Sequence, residues 1–416
     1  MAQLSDDCFA FGGDLLPLDA ALRIIASDVR AIEGIDWVPL NAADGRVLAK
    51  DVAAPMDLPP FDNSAVDGYA VRLADLEGAT VLPIAGRIAA GAPATNALAP
   101  GTTWRIFTGA ALPAGADTVF MQEDVRLDEH GRAHFPAGLR AGANTRQRGE
   151  DIPAGACALP AGRCLRPQDL ALAAALGVRQ LMVRAPVRVA LFSTGDELVE
   201  PGAAAGPAQR YDSNQVLLAA LLCRTGARVT DLGILPDRQP GIEAALRSAA
   251  RNHDLILTSG GVSTGEEDHV RAAVEAVGRL VFWRLAIKPG RPVAMGSVAG
   301  VPFIGLPGNP VAAFVTFVQI ARPLIAALSG APVKAPVVFS VQAAFSYRKK
   351  AGRREYVRVR LMSAPDGALQ AHKHPMEGAG IITSLTETDG LAELAEPVMT
   401  VAPGDVVGFL PYERLF

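Results

Sequence analysis

One short segment, 259–268, carries residue types that suit a bound polyphosphate and a metal ion. Its paired glycines, Gly260 and Gly261, let a backbone approach a ligand without a Cβ in the way. A helix that begins after such a turn offers unpaired N–H groups to an anion. The three acids at 266–268 suit a divalent cation better than they suit bare phosphate. The segment therefore predicts a loop that holds a polyphosphate together with a metal.

Three acids follow three predicted strands: Glu197, Asp237 and Asp268. Carboxylates that converge on one cleft repel each other unless a cation or protonation relieves them. A Mg²⁺ ion, held by a few carboxylates, substrate phosphates and water, resolves this repulsion. The alternative is that each acid caps the helix after its strand. For three acids on one edge beside a Gly-Gly turn, we favour the metal site.

Two cations, Lys288 and Arg291, lie in a turn that contains two prolines and a glycine. Proline fixes the backbone, so this turn presents its cations in a defined place. Lysine acts as a point charge and arginine as a fork, and both suit phosphate or another oxyanion. The alternative is an ordinary solvated turn.

The segment 305–310 places Pro310 at the first turn of a predicted helix, where its missing N–H costs nothing. Two interpretations stay open for this segment: a rigid strand-to-helix turn, or ligand contact through Pro307 and Asn309.

Further polar residues lie in segment 60–70, in 108–110 and in 146–151. Asp62, Asn63 and Asp67 suit either a site or simple Asx turns. A basic cluster at 348–360 suits a solvated strand face or contact with a small anionic ligand, because it lacks the aromatic platform of a nucleic-acid site.

The elements that must position these residues change in type along the chain. Helical spacing predicts helices at 17–33 and about 40–50, and short β segments follow from 56 to 141. From 186 to 330, strands alternate with helices, which predicts a mostly parallel sheet with ligands at the strand ends. Alternating segments after 331 predict a last, small β domain.

Composition restricts the function classes. The 416 residues carry a net charge of -4, which gives no case for nucleic acid or membrane surfaces as partners. Four cysteines form no CxxC pair, and Asp6 and Asp7 precede any apolar run, so we expect a cytoplasmic protein without a signal peptide. The signatures of P-loop, common dinucleotide-binding, zincin and α/β-hydrolase enzymes are absent from the sequence.

Together the motifs resemble the MoeA/gephyrin E-domain family, the molybdopterin molybdenumtransferases. The matching segments occur in family order: PPFDNSAVDGYA, RIFTGA, RGEDI, LFSTGDEL, YDSNQ, SGGVSTGEEDHV, LAIKPGRP and GLPGNP.

The resemblance implies a multidomain α/β plus β architecture. Residues 1–55 and 142–185 would form a discontinuous N-terminal linker domain, with a β domain, 56–141, inserted in it. Residues 186–330 would form a MogA-like α/β molybdopterin-binding domain, and 331–416 a C-terminal β-barrel. The family also implies a homodimer whose active site lies between the α/β domain of one subunit and the β domain of the other.

The implied reaction takes adenylylated molybdopterin and molybdate, releases AMP and yields molybdenum cofactor, with Mg²⁺ as the metal. A MogA-type adenylyltransferase is an implied partner. The implied catalytic residues are Asp268, Glu197, Asp237, Asp67 and Asp151, of which the first three would hold the metal. The implied substrate-binding residues are Gly260, Gly261, Ser263, Thr108, Arg146, Lys288, Arg291, Pro307, Asn309 and Pro310.

The sequence departs from the family pattern at two places: Arg291 stands where many relatives have lysine, and Asp237-Arg238 replaces a common Asp-Asp pair. Two other functions were weighed: a MogA-like adenylyltransferase, and a non-catalytic scaffold. The long regions on both sides of the α/β domain argue against the first, and the full acidic set argues against the second.

Overall fold

The computed structural model describes residues 15–260 and 269–415. The chain starts with α1 (Leu18–Asp28), β1 (Ile35–Pro39) and β2 (Val52–Ala53). The predicted helix at 17–33 is real but ends at Asp28, because Val29 already has an extended backbone. The helix predicted at about 40–50 is wrong. Only a 3₁₀ turn at Leu40–Ala42 forms there, and the chain then pairs with strands further along.

The inserted β region is a six-stranded sheet. The strands of this region, in chain order, are β3 (Asn63–Ser64), β4 (Gly68–Val71), β5 (Val81–Ile88), β6 (Thr103–Ile106), β7 (Thr118–Met121), β8 (Arg126–Leu127) and β9 (Arg132–His134). The order in the sheet is β7-β4-β6-β5-β9-β8, so β3 lies outside it. Gly68 is required in β4, because a Cβ there would lie 1.8 Å from the carbonyl oxygen of Phe120.

The chain then returns to its N-terminal part. The returning elements are β10 (Thr145–Arg146), β11 (Cys157–Leu159), α2 (Pro167–Ala175) and β12 (Gln180–Arg184). Strand β10 pairs with β3, β11 pairs with β2, and β12 pairs with β1 along its full length. The β sheet is therefore an insertion between two parts of the chain that fold together, as the resemblance implied.

The α/β domain contains nine strands and five helices among its described residues. In chain order they are β13 (Arg188–Thr194), β14 (Leu198–Val199), β15 (Arg210–Tyr211), α3 (Ser213–Arg224), β16 (Arg228–Leu235), α4 (Gln239–Asn252), β17 (Leu255–Ser259), α5 (His269–Val277), β18 (Gly278–Arg284), β19 (Ile287–Lys288), β20 (Pro292–Val298), β21 (Val301–Leu306), α6 (Pro310–Thr316) and α7 (Arg322–Leu328). The main sheet has the order β16-β13-β17-β21-β20-β18. Its first four strands are parallel. Strand β20 runs antiparallel to both of its neighbours, β21 and β18.

A π-helical turn, Phe317–Ala321, joins α6 to α7 into one apolar helix. By length and composition this helix could cross a membrane, but 89% of its most apolar window is buried inside the protein. It packs against α1 and α3 in the largest hydrophobic core, which is the position of a core helix of a globular domain.

The C-terminal region is a closed five-stranded β-barrel, as predicted. Its elements are β22 (Phe339–Ala343), β23 (Tyr347–Arg348), β24 (Arg354–Ser363), β25 (Leu369–Lys373), α8 (Thr383–Thr386), β26 (Gly390–Leu394), β27 (Thr400–Val401) and β28 (Val406–Pro411). The order β24-β25-β22-β28-β26 closes through pairing of β26 with β24. Strand β19 of the α/β domain pairs in parallel with the start of β24, so the two domains share backbone hydrogen bonds.

Candidate functional site

The ends of three adjacent parallel strands bring their loops together, as the sequence predicted. A Cβ on Gly260, after β17, would lie 3.6 Å from the carbonyl oxygen of Thr194, at the end of β13. A Cβ on Gly308, after β21, would lie 3.7 Å from the Cα of Gly260. Gly260 itself has a φ of +83°, a conformation that favours glycine. The loop after β16 starts beside β13, so all four loops open on one edge.

A buried asparagine joins two of these loops. The amide of Asn214, in the first turn of α3, donates hydrogen bonds to the Ser259 hydroxyl at 2.7 Å and to the Gly308 carbonyl at 2.8 Å. Asp212 caps the same helix by accepting a hydrogen bond from the Gln215 N–H at 3.0 Å. The start of α3 therefore fixes the spacing between the loop after β17 and the loop after β21.

Replacing Asn214 by alanine should destabilise the α/β domain by about 1–3 kcal/mol, because the buried Ser259 hydroxyl and the Gly308 carbonyl lose their donor. Chemical denaturation of the purified protein would measure this. Asn252→Ala, at the exposed C-terminal end of α4, is the matched control and should cost less than about 0.5 kcal/mol. Equal effects of the two substitutions would show that the amide does not hold the loops.

The same edge keeps unused hydrogen-bonding capacity. Five buried side-chain atoms at or near these strand ends have no hydrogen-bond partner in the structure: Ser193 Oγ, Thr194 Oγ1, Asp212 Oδ2, Asn214 Oδ1 and Thr258 Oγ1. Buried polar atoms are normally paired, so this concentration is consistent with a place where a polar ligand binds. No local sequence pattern selects these atoms, because their burial follows from the sheet order.

The predicted acids occupy this edge only in part. The exposed carboxylate of Glu197 forms an ion pair with Arg210 at 2.8 Å. Glu197 lies between two strands and precedes no helix, so the helix-cap alternative is wrong for this residue. Asp237 lies between β16 and α4, whose N-cap is Arg238. Asp268, with Gly261 and Ser263, lies outside the described residues. Among residues 15–260 and 269–415, no three His, Cys, Asp or Glu side chains form a group that could hold a metal.

A cavity of about 320 Å³ lies between the α/β domain and the C-terminal barrel. Four predicted binding residues line it from the α/β side: Lys288, Arg291, Pro307 and Asn309. Pro310 follows directly as the first residue of α6, as predicted. The barrel contributes mainly polar side chains to the facing wall, namely Tyr347, Arg358, Lys373, His374 and Glu377. The cavity is therefore rich in cations.

Arg358 lines this cavity, and the sequence analysis included it only as one member of the basic cluster at 348–360. Its side chain is buried in β24 and donates to Ser384 Oγ at 3.0 Å and to the carbonyls of Met376 at 3.1 Å and Gly378 at 3.3 Å. All three acceptors are uncharged. Burial lowers the pKa of Arg358, but an arginine keeps its charge in proteins. Its positive charge thus lies at the cavity wall without a hydrogen-bonded carboxylate.

The members of the basic cluster that contains Arg358 differ in exposure. Arg348, Lys350 and Arg360 are exposed, as a solvated strand face would be. Arg358 instead lines the cavity, which agrees with the second interpretation, contact with a small anionic ligand. Alternation of valine and arginine at 357–360 places Arg358 and Arg360 on the same strand face, because residues two apart share a face. It therefore does not distinguish the buried arginine from the exposed one.

The turn after Lys288 is rigid, as predicted. Gly290 has a φ of +102°, and a Cβ there would approach Thr316 Oγ1 to 2.3 Å. Burial alone would lower the pKa of Lys288, but its hydrogen bond to Tyr347 and the charge of Glu355 outweigh burial and raise it. Lys288 is therefore a fixed, charged group at the cavity.

A second polar site lies on the inserted β region. The carboxylate of Asp67 accepts hydrogen bonds from Thr108 Oγ1 and from the Thr108 N–H, both at 2.7 Å, and these bonds lower the pKa of Asp67. Asp62 accepts from the Arg148 N–H at 2.8 Å. The Asx-turn alternative is wrong for both acids, because each joins a distant segment. Arg146 lies opposite Asn63, and the Asp151 N–H donates to the Leu58 carbonyl at 3.0 Å.

Within one chain, the described residues of the two sites are not bonded to each other. Over the described residues, no hydrogen bond or ion pair joins the inserted sheet to the α/β domain. The structure thus gathers Lys288, Arg291, Pro307 and Asn309 in one cavity, and places Asp67, Thr108, Arg146 and Asp151 on another part of the surface.

Three family models match the chain in order. They describe the MoeA N-terminal region (domain I and II) at residues 16–177, a probable molybdopterin binding domain at 190–327, and the MoeA C-terminal region (domain IV) at 340–412.

Curated relatives match over nearly the whole chain. The molybdopterin molybdenumtransferase of Haemophilus influenzae is 37% identical over 402 residues, covering 96% of this chain and 100% of the relative. Molybdopterin molybdenumtransferase 2 of Mycobacterium tuberculosis is 37% identical over 395 residues, covering 92% and 96%. A solved structure, the molybdopterin biosynthesis moeA protein from Pyrococcus horikoshii OT3, is 29% identical with a TM-score of 0.81, covering 96% of this chain and 100% of that one.

Proposed function

Because this chain belongs to the MoeA family, we propose that it is a molybdopterin molybdenumtransferase that inserts molybdate into adenylylated molybdopterin and releases AMP. Its curated relatives carry that enzyme name and match all of its regions. An adenylyltransferase or a non-catalytic scaffold is not favoured, since the relatives that match the whole chain carry the transferase name.

The observation that carries this proposal is the cation-rich cavity between the α/β domain and the barrel. Lys373 is paired there with Glu377, which lines the cavity, whereas Glu355, the partner of Lys288, does not line it. We therefore assign three cations to an incoming anion: Lys288, Arg291 and Arg358. Arginine forks and lysine ammonium groups both bind oxyanions. Molybdate, a tetrahedral dianion, fits this chemistry as the substrate.

The strand-end edge suits the other substrate. The turn at Gly260 allows close approach of a backbone, and the unpartnered polar atoms of Ser193, Thr194 and Thr258 lie in the same part of the sheet. Pro307 and Asn309 follow β21 at this edge and also line the cavity. We place the phosphates of adenylylated molybdopterin at this edge, with Gly261 and Ser263 in the same loop. The chain would then hold the two substrates side by side.

Magnesium dependence is a further part of the proposal. The described residues fit a Mg²⁺ ion only in part. Of the three predicted metal ligands, Glu197 is paired with Arg210, Asp237 is described, and Asp268 lies outside the described residues. The ion would need Asp268 and substrate phosphates to complete its ligands. When bound, it would neutralise charge that develops on the anhydride oxygens.

We also propose a homodimer in which Asp67, Thr108, Arg146 and Asp151 complete the site of the other subunit. The separation of the two polar sites within one chain supports this arrangement. A MogA-type adenylyltransferase would supply the adenylylated substrate. We propose the same domain boundaries that the resemblance implies, after residues 55, 141, 185 and 330. A cytoplasmic location is supported by three unpaired cysteines among the described residues.

The proposal predicts that the purified protein releases AMP from adenylylated molybdopterin only when molybdate is present. Chromatographic measurement of AMP would test this, and removal of Mg²⁺ by EDTA should stop the release. Asp268→Ala should lower the rate by about 100-fold or more, as loss of a charged transition-state contact does. Asp366→Ala, in an exposed turn of the barrel, is the control. AMP release at the same rate with and without molybdate would refute the proposed function.

A further inference from the structure

A buried carboxylate, Glu355, lies behind the cation-rich cavity and does not line it. It stands near the start of β24 and is 1% exposed. Its Oε1 accepts a hydrogen bond from Arg353 Nε at 2.6 Å, and its Oε2 accepts one from the Tyr347 hydroxyl at 2.8 Å. Oε2 also lies 3.3 Å from Lys288 Nζ. Both oxygens of Glu355 are therefore engaged, and two cations, Arg353 and Lys288, lie against them.

The backbone places Glu355 and Lys288 side by side. In the parallel pairing of β19 with β24, Lys288 lies opposite Glu355, and the Arg354 N–H donates to the Ala286 carbonyl at 2.7 Å. The lysine belongs to the α/β domain and the glutamate to the barrel. This contact between two domains fixes the lysine at both its backbone and its side chain.

Tyr347 connects the carboxylate to the cavity. Lys288 Nζ donates to the Tyr347 hydroxyl at 3.1 Å. Lys288 Nζ and Lys373 Nζ also lie 5.6 Å and 5.7 Å from the centre of the tyrosine ring, within cation–π range. Burial raises the pKa of Tyr347, so the hydroxyl keeps the proton that it donates to Glu355.

We propose that Glu355 and Tyr347 are positioning residues that hold the Lys288 ammonium group in place at the oxyanion cavity. This inference rests on the proposed function, because it takes Lys288 as a molybdate contact. Glu355 acts through Lys288 and does not touch the substrate. A lysine side chain has four rotatable bonds, so Lys288 would lose its defined place without these partners.

The charges around Lys288 set the direction of the expected effect. Glu355 and Tyr347 contact Lys288 directly. Lys373 lies near the same tyrosine ring and is itself paired with Glu377. Arg353 is bonded to the other Glu355 oxygen, and Arg291 follows Lys288 in the same turn. With Glu355 made neutral, the cations that remain oppose the charge of Lys288, so its pKa falls. Molybdate binding should then weaken, and should fail at a lower pH than in the wild type.

The test is the molybdate KM, the KM for adenylylated molybdopterin and kcat, each measured from pH 7 to pH 10 for wild type and Glu355→Gln. We expect the molybdate KM to rise about tenfold, the cost of one charge-assisted contact, with the other KM changed less than about twofold. The alkaline limb of the molybdate KM should move to lower pH. A molybdate KM that stays the same or falls would overturn the inference.

Two further variants keep the test decisive. Tyr347→Phe keeps the ring and removes only the hydroxyl, so it carries the test if Glu355→Gln does not fold, and its molybdate KM should rise in the same direction. Glu396→Gln breaks a different ion pair of the barrel, with Arg354 at 3.0 Å, and should leave the molybdate KM unchanged. Equal KM changes in all variants would indicate a merely structural role. Absence of molybdate-dependent AMP release in the wild type would instead refute the proposed function.

Discussion

Replacing Arg358 by methionine should raise the molybdate KM by about 100-fold, because the cavity loses a buried charge that is bound to no carboxylate. Methionine fills a similar volume but donates no hydrogen bond. Arg358→Lys should fall between methionine and the wild type, since lysine keeps the charge and cannot reach all three acceptors. Steady-state AMP release at varied molybdate would measure the effect.

Arg360→Met is the matched control for this prediction. Arg360 lies two residues further along the same strand, is exposed, and donates to the Glu387 carbonyl at 2.9 Å. Its loss should leave the molybdate KM within about twofold of the wild type. If the two methionine variants had the same molybdate KM, the cavity would not be the oxyanion site.

The sequence was sufficient to predict the strand-end edge and the cations of the turn at 286–292. Both follow from local rules: strands that alternate with helices are parallel, and a turn with two prolines and a glycine is rigid. The structure accordingly brings Lys288 and Arg291 to one cavity with Pro307.

Arg358 could not be selected in the same way, because its burial depends on closure of the barrel. The closing pairing of β24 with β26 joins residues more than thirty positions apart, and the capping carbonyls of Met376 and Gly378 come from a loop. No local pattern in the sequence predicts which strand face that loop covers.

Glu197 is an acid whose partner could not be predicted from local sequence patterns either. It was predicted from its position after a strand, and it does lie at the expected edge. Its partner Arg210 comes from β15, which pairs with β14 across a long connection. The helix predicted at about 40–50 was wrong for a related reason: Leu48 pairs with Val183, and this distant strand outweighs local helical spacing.

The proposed sharing of the active site between two subunits makes a prediction that distinguishes a site within one chain from a site built by two. If Asp67 of one subunit works with Asp268 of the other, Asp67→Asn and Asp268→Asn homodimers should each lose about 99% of the AMP-release activity. A heterodimer with one variant in each subunit has one site with both substitutions and one site with neither. Purified through two different affinity tags, it should regain about half of the wild-type rate.

The decisive control is a heterodimer of wild type with the double variant Asp67→Asn, Asp268→Asn. If each site is built from two subunits, both active sites of this heterodimer carry one substitution, so the heterodimer should be nearly inactive. A site built within one chain predicts the reverse: about half activity here, and none in the heterodimer of single variants. The two pairs contain the same substitutions in the same numbers, so differences in folding or expression cannot produce the contrast. The ratio of their rates therefore reports directly which subunit supplies Asp67.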